Sequence, residues 1–254
     1  MKTLGVKDFF FSQVYLFFYD QLEKSNLFLQ GVIDTRKEDW DNQMVTWLFQ
    51  NPLSDGGTYT GVADLVTKYG LVPKDVMPET FHSNKTSEID GHLKRKLREF
   101  GVQLREESQA GKNEQELQAL KVEQLKTIYH MLVLVYGVPP KTFTWAPKKD
   151  GKPLSAPKTY TPQEFYKKVC GDTEDLYADY VMLMNDPCRE YGKVYEIQYD
   201  RHLYDGQNWL YVNLPIERIK EMAIASIKDG NAMYFSCDVG KCFDRKKGVL
   251  DLDN

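Results

Sequence analysis

Cysteine is scarce in this chain. Four residues in 254, Cys170, Cys188, Cys237 and Cys242, are too few and too widely spread for the dense framework of a disulfide-stapled domain, so a reducing compartment is the simpler expectation. Histidine is as sparse, with His82, His92, His130 and His202 far apart. Cys237 and Cys242 could form half of a zinc site, but no second pair follows at suitable spacing, so no metal is expected. Long apolar runs are missing too. The longest, such as Tyr15 to Tyr19 and Met131 to Tyr136, fall far short of the roughly 20 residues that span a bilayer. Lys2, Lys7 and Asp8 interrupt any apolar start, so neither a signal peptide nor a membrane partner is expected and the expected location is cytoplasmic. Positive charge is not in excess. Lys and Arg number 33 against 37 Asp and Glu, a net charge of -4, which gives no general attraction to nucleic acid or anionic membrane. Val239-Gly240-Lys241 lacks both the leading glycine and the following Ser or Thr of a phosphate loop. No internal repeat or low-complexity tract appears.

What is present is enough apolar material, 42% of the residues, for a sizeable core. Ser12 can cap a helix running to about Lys24, with Val14, Phe17, Phe18 and Leu22 as its buried stripe. A second helix carries Val62, Leu65, Val66 and Tyr69 on one face and stops at Gly70, after which Leu71-Val72-Pro73 leaves in extended form. Ser87 and Asp90 form a weak capping box for a strong amphipathic helix with Ile89, Leu93, Leu97, Phe100 and Leu104. Gly111-Lys112-Asn113 breaks it, and Leu117, Leu125, Ile128, Leu132 and Val135 mark its successor, which ends at Gly137. Two such helices across a short turn predict an antiparallel pair. The charge run Lys94 to Arg98 reads as a solvated helix face rather than a nucleic-acid patch.

From Lys141 to Lys158 the chain reads as a long surface loop. Thr161-Pro162-Gln163-Glu164 then starts a short helix that ends at Cys170-Gly171. Tyr195, Ile197 and Tyr199 alternate as a strand, and Asp205-Gly206 turns into a second strand with Leu210 and Val212. A helix with Ile216, Ile219, Ala223 and Ile227 closes at Gly230, and Ala232 to Ser236 reads as a buried strand.

The residues with the clearest chemical meaning are Gly56 and Gly57, inside NPLSDGGTYTGVADLVTKYGLVPKDVMPETF from Asn51 to Phe81. Without side chains they can bring bare backbone against a ligand. This stretch resembles the papain-like cysteine peptidases, most closely their bleomycin hydrolase and aminopeptidase C branch, as do SQVYLFFYD from Ser12, FTW, PQEFY, NDP and SIKDGNAMYFSCDVGK. The resemblance implies an α+β fold: a papain-like core, incomplete at both ends, with a large helical insertion. It divides the chain into a helical part with the glycine loop at residues 1–82, the insertion at 83–193, and the start of the β part at 194–254. It also implies substrate-binding roles for Asp55, Gly56 and Gly57 along an extended peptide backbone, and for Ala232 and Met233 beside the pocket for the second side chain.

The activity implied is thiol-dependent removal of N-terminal residues from peptides and amide hydrolysis of bleomycin, by a cytosolic homohexamer that uses no cofactor. Some members bind nucleic acid, which the net charge here does not support. In that family the nucleophile opens the first helix in a Gln, Gly, Cys, Trp run, and its histidine and asparagine lie near the far end. Neither segment is in this chain, which is expected to start just after the one and stop just before the other. No catalytic residue is therefore assigned, and the 254 residues alone are expected to be inactive. The alternative is a non-catalytic, truncated paralogue acting as an interaction or assembly subunit.

Overall fold

The computed structural model describes residues 6, 9–171, 180–231, 233–237, 239–240 and 242–250. The fold mixes helices with short strands, as an α+β chain should. It has two compact units, Met1–Met182 with Glu196–Leu210, and Leu183–Tyr195 with Tyr211–Asn254.

The first unit is built around α1 (Gln13–Asp34). Ser12 caps it by accepting the Tyr15 N–H, and its own hydroxyl donates to the Met77 carbonyl. The helix does not stop near Lys24: it continues for another ten residues because Lys24 is itself buried and paired. Nor is α1 an ordinary one-sided helix, since Val14, Tyr15, Phe18, Leu29, Val32 and Ile33 are buried together with Asp20, Gln21, Glu23 and Gln30. Four helices surround it: α2 (Gln43–Gln50), α3 (Tyr59–Tyr69), α4 (Ser87–Gln109) and α5 (Glu114–Tyr136). Arg105 of α4 reaches the far end of α1, donating to the carbonyls of Thr35 and Glu38 with its guanidinium over the Trp40 ring.

α4 and α5 pack on one another through the expected periodic positions, with Ile89, Leu93, Leu97, Leu104, Leu117, Ile128 and Leu132 buried. The capping box expected at Ser87 and Asp90 does not form. Ser87 is already helical behind Thr86, and Asp90 pairs instead with Lys94 at 2.7 Å. A capping box does open α5, between Asn113 and Glu116. The Lys94 to Arg98 run is tied to Asp90, Glu99 and the carbonyls of Phe49 and Gln50.

The expected surface loop of residues 141–158 is instead folded. Strands β1 (Phe143–Trp145) and β4 (Lys158–Tyr160) pair antiparallel, as do β2 (Lys148–Lys149) and β3 (Lys152–Pro153) at their tip. Tertiary contacts explain this. The Trp145 ring is buried against Phe9 and Phe165, and its indole N–H donates to Asp75 at 3.0 Å. α6 (Pro162–Cys170) follows with the expected Thr161 and Glu164 capping box and the Gly171 end. Gly70 accepts no substitute, because a Cβ there would enter the Pro162 backbone, and its φ is 72°.

The second unit contains β5 (Leu183–Met184), which runs parallel to the far end of β7 (Trp209–Asn213). β7 is the middle strand of a three-stranded sheet whose third member is β6 (Val194–Ile197). β6 ends before Tyr199, whose φ of 61° takes it out of the strand. Buried Asn213 fixes the NDP turn, accepting the Asp186 N–H at 2.8 Å and donating to the carbonyls of Asp186 and Arg189. α7 (Ile216–Lys228) follows as expected, yet none of its residues is buried. A short pair, β8 (Phe243–Asp244) with β9 (Val249–Leu250), completes the described residues. Between α7 and β8, the described part of the strand expected at residues 232–236, Met233 to Ser236, is not a strand. Met233, Tyr234 and Phe235 are 40%, 76% and 76% exposed and in neither helix nor strand, since no neighbouring strand among the described residues takes up their backbone groups. Ala232 lies outside the described residues.

Candidate functional site

Asp55, Gly56 and Gly57 form an exposed loop between α2 and α3, in the first unit. Its course is dictated from beneath by buried polar side chains of α1. Lys24 donates to the carbonyls of Ser54 at 3.0 Å and Gly56 at 2.6 Å, and Gln21 donates to Ser54 as well. A buried ammonium needs a counter-charge; Asp20, one helical turn earlier, provides it at 2.8 Å. The same spacing that puts Asp20 and Lys24 on one face of α1 thus turns both toward the loop.

His202, from the connection between β6 and β7, completes the support. Only 4% exposed, it lies with Nδ1 2.5 Å from Asp20 Oδ1, although the N–H is not aimed squarely at that oxygen. Its Nε2 accepts the Thr58 N–H at 3.3 Å. The imidazole fills the space beside Gly57 and Gly61 so completely that a Cβ on either would overlap the ring. Nearby, Asp64 accepts the Gln207 N–H at 2.9 Å, which holds the chain around His202 against α3.

Once these bonds are assigned, the loop backbone divides into two sides. The carbonyls of Ser54 and Gly56 and the amide of Thr58 point into the protein. Among the described residues, no hydrogen bond uses the N–H or the C=O of Gly57, and nothing lies within 4 Å of a Cβ built on Gly56. One exposed residue therefore offers a donor and an acceptor together, which is the pattern an extended peptide needs to pair with a single residue of a strand edge. Asp55 accepts the Thr86 hydroxyl at 3.3 Å beside it.

The electrostatics around α1 are set by burial. Burial raises the Tyr69 hydroxyl, and its bond to Glu23 raises it further. Burial alone would lower Lys68, but Glu23 at 3.0 Å and Asp205 at 3.1 Å outweigh it and hold the ammonium. Burial also raises the Asp200 carboxyl.

Of the sequence-predicted site residues, the structure brings Asp55, Gly56 and Gly57 together. Met233 belongs to the second unit. Asp20, Lys24 and His202 escaped sequence reasoning as parts of the site. The Asp-x-x-x-Lys spacing in a helix was a readable signal for the first two; His202 stands 144 residues from Thr58 and gave none. None of the four cysteines opens a helix among the described residues; Cys170 is the last residue of α6, the helix end that disfavours negative charge.

Comparison with known proteins matches all of residues 1–254 to the model of the Peptidase C1-like family. The chain is 37% identical to human bleomycin hydrolase, over 100% of its own length and 56% of that protein's. It is 36% identical to aminopeptidase C of Listeria innocua and 37% to aminopeptidase W of Lactobacillus delbrueckii subsp. lactis, with 99% of the chain covered in each case. It thus spans about half the length of these relatives, 56% or 57%. The crystal structure of PepW from Lactobacillus rhamnosis matches 96% of the chain with a TM-score of 0.87 at 34% identity, and 55% of the PepW chain is covered.

Proposed function

The chain belongs to the Peptidase C1-like family, and on that premise we propose that it is the peptide-binding portion of a bleomycin hydrolase-like cysteine aminopeptidase. Such an enzyme removes N-terminal residues from peptides through a thiolate and hydrolyses the bleomycin amide. The observation that carries this reading is exposed Gly57, whose N–H and C=O are used by no hydrogen bond among the described residues, on a loop whose neighbouring backbone groups are held from within. Residues 1–82 supply the helical part with that loop, 83–193 the insertion and 194–254 the beginning of the β part. Ala232 and Met233 border the pocket for the second side chain, and the complete enzyme is a cytoplasmic homohexamer.

Hydrolysis needs a thiolate beside an imidazole, an orienting group and oxyanion donors. The cysteines of this chain are poorly placed to supply the first, so the 254 residues alone bind peptides without cleaving them. A second reading, a non-catalytic assembly subunit, is favoured by α7, whose Ile224 and Ile227 are 54% and 68% exposed.

The deciding experiment is intact mass spectrometry of the native protein, captured from its source by an antibody to the loop, followed by an assay on peptides with free and acetylated N-termini. A species above 29.5 kDa that trims only free N-termini and is stopped by a thiol reagent is the expected result. A 29.5 kDa species without activity favours the second reading. Thiol-sensitive turnover by the purified 254-residue chain contradicts its assignment as a binding portion only.

A further inference from the structure

Resting on the peptide-binding reading of the loop, we propose that His202 is a positioning residue for it, acting as a hydrogen-bond acceptor. The argument starts from the backbone of residues 54–58. Lys24 and Gln21 take the carbonyls of Ser54 and Gly56, so these two positions are anchored by donors. Thr58, at the N-cap of α3, makes no side-chain cap bond, and its amide is directed at the buried His202 ring. An inward amide in a buried setting requires an acceptor. His202 Nε2 is that acceptor, at 3.3 Å.

The bond fixes the tautomer. A nitrogen that accepts carries no proton, so the imidazole proton sits on Nδ1, facing Asp20. Asp20 is in turn held by Lys24, and Lys24 holds Gly56. The loop is thereby gripped at Gly56 through one branch and at Thr58 through the other, and both branches meet on the Asp20 carboxylate. Gly57 is the residue between the two grips, and among the described residues neither its N–H nor its C=O is used by a hydrogen bond. Its orientation toward a peptide is therefore a product of the Asp20, Lys24 and His202 arrangement, and the glycines at 57 and 61 are what admit the ring so close beneath the backbone.

Two substitutions separate an acceptor from a mere filler of space. His202→Phe keeps a ring beside Gly57 and Gly61 but removes the acceptor. His202→Gln loses ring volume and restores an acceptor oxygen near the Nε2 position. The experiment uses the protein at the length found in its source, and the probe is a tetrapeptide whose first amide is reduced to a methyleneamine, so that it cannot be cleaved. Binding is read by titration calorimetry and the Thr58 amide by hydrogen exchange. The expected result is an affinity loss of about tenfold in His202→Phe with a comparable acceleration of Thr58 exchange, and near-native values in His202→Gln, the size expected for one buried unsatisfied donor.

Imidazole nitrogen shifts of the unsubstituted protein should show Nε2 unprotonated. Equal losses in the two variants, or a better result with Phe, overturn the proposal and leave His202 as packing. A protonated Nε2 overturns it as well, and this measurement decides the matter if His202→Phe does not fold. Failure of the unsubstituted protein to bind the peptide overturns the substrate reading of the loop; the exchange and nitrogen-shift results then still report separately on whether His202 holds Thr58.

Discussion

Gly56 and Gly57 are adjacent, both exposed and both outside the left-handed region, yet their surroundings make them unequal. A methyl at 57 meets the His202 ring, whereas one at 56 enters open space. Gly57→Ala is expected to lose about 1–3 kcal/mol of stability as an overpacked position. Gly56→Ala is expected to keep stability within about 0.5 kcal/mol while weakening peptide binding, because its methyl stands where a peptide must approach. Thermal melts and peptide titrations on both variants check this, and the opposite ordering of the melts contradicts the packing described. The glycine pair was legible in the sequence because bare backbone is a local property. Its partner His202 was not, since an imidazole among three others carries no mark of what it will touch 144 residues away.

Among the elements, caps were the most readable features. Ser12, Thr161, Gly70 and Gly171 end their helices as the sequence predicts, because each acts on backbone groups within four residues. Where tertiary partners decide, local reading failed. α1 outran its expected end because buried Glu23 and Lys24 find partners on α3 and its flanking loop, and the 141–158 segment became a hairpin because Trp145 is drawn into an aromatic cluster. Ser12 differs from Thr161 in serving both levels. Buried, it caps α1 and also donates to Met77, 65 residues on. Ser12→Ala is accordingly expected to cost about 2 kcal/mol or more, against about 1 kcal/mol for Thr161→Ala on the exposed start of α6. Denaturant unfolding of the two variants measures the difference; equal costs contradict the double role.

At the scale of the whole molecule, both units expose large apolar side chains, among them Phe10, Phe81 and Leu134 on the first. On the second, α7 leaves Ile216, Met222, Ile224 and Ile227 exposed, with Tyr234 and Phe235 beyond it in sequence. A patch of this kind drives association. The 254-residue chain is therefore expected to elute as aggregates in size-exclusion chromatography, and replacing Ile224 and Ile227 by Lys is expected to shift it toward monomer. A cooperative, monomeric starting protein contradicts the expectation.

The support beneath the glycine loop also has a consequence for how the protein is made. Residues 54–58 leave the ribosome long before His202 does, and at about 5–20 residues per second the 144-residue gap amounts to roughly 7 to 29 s. During that interval Lys24 and Asp20 already exist, but the amide of Thr58 has no acceptor. The peptide-gripping edge is thus set only when most of the chain has been synthesised, so a nascent chain does not present a finished binding edge to its own unfolded segments.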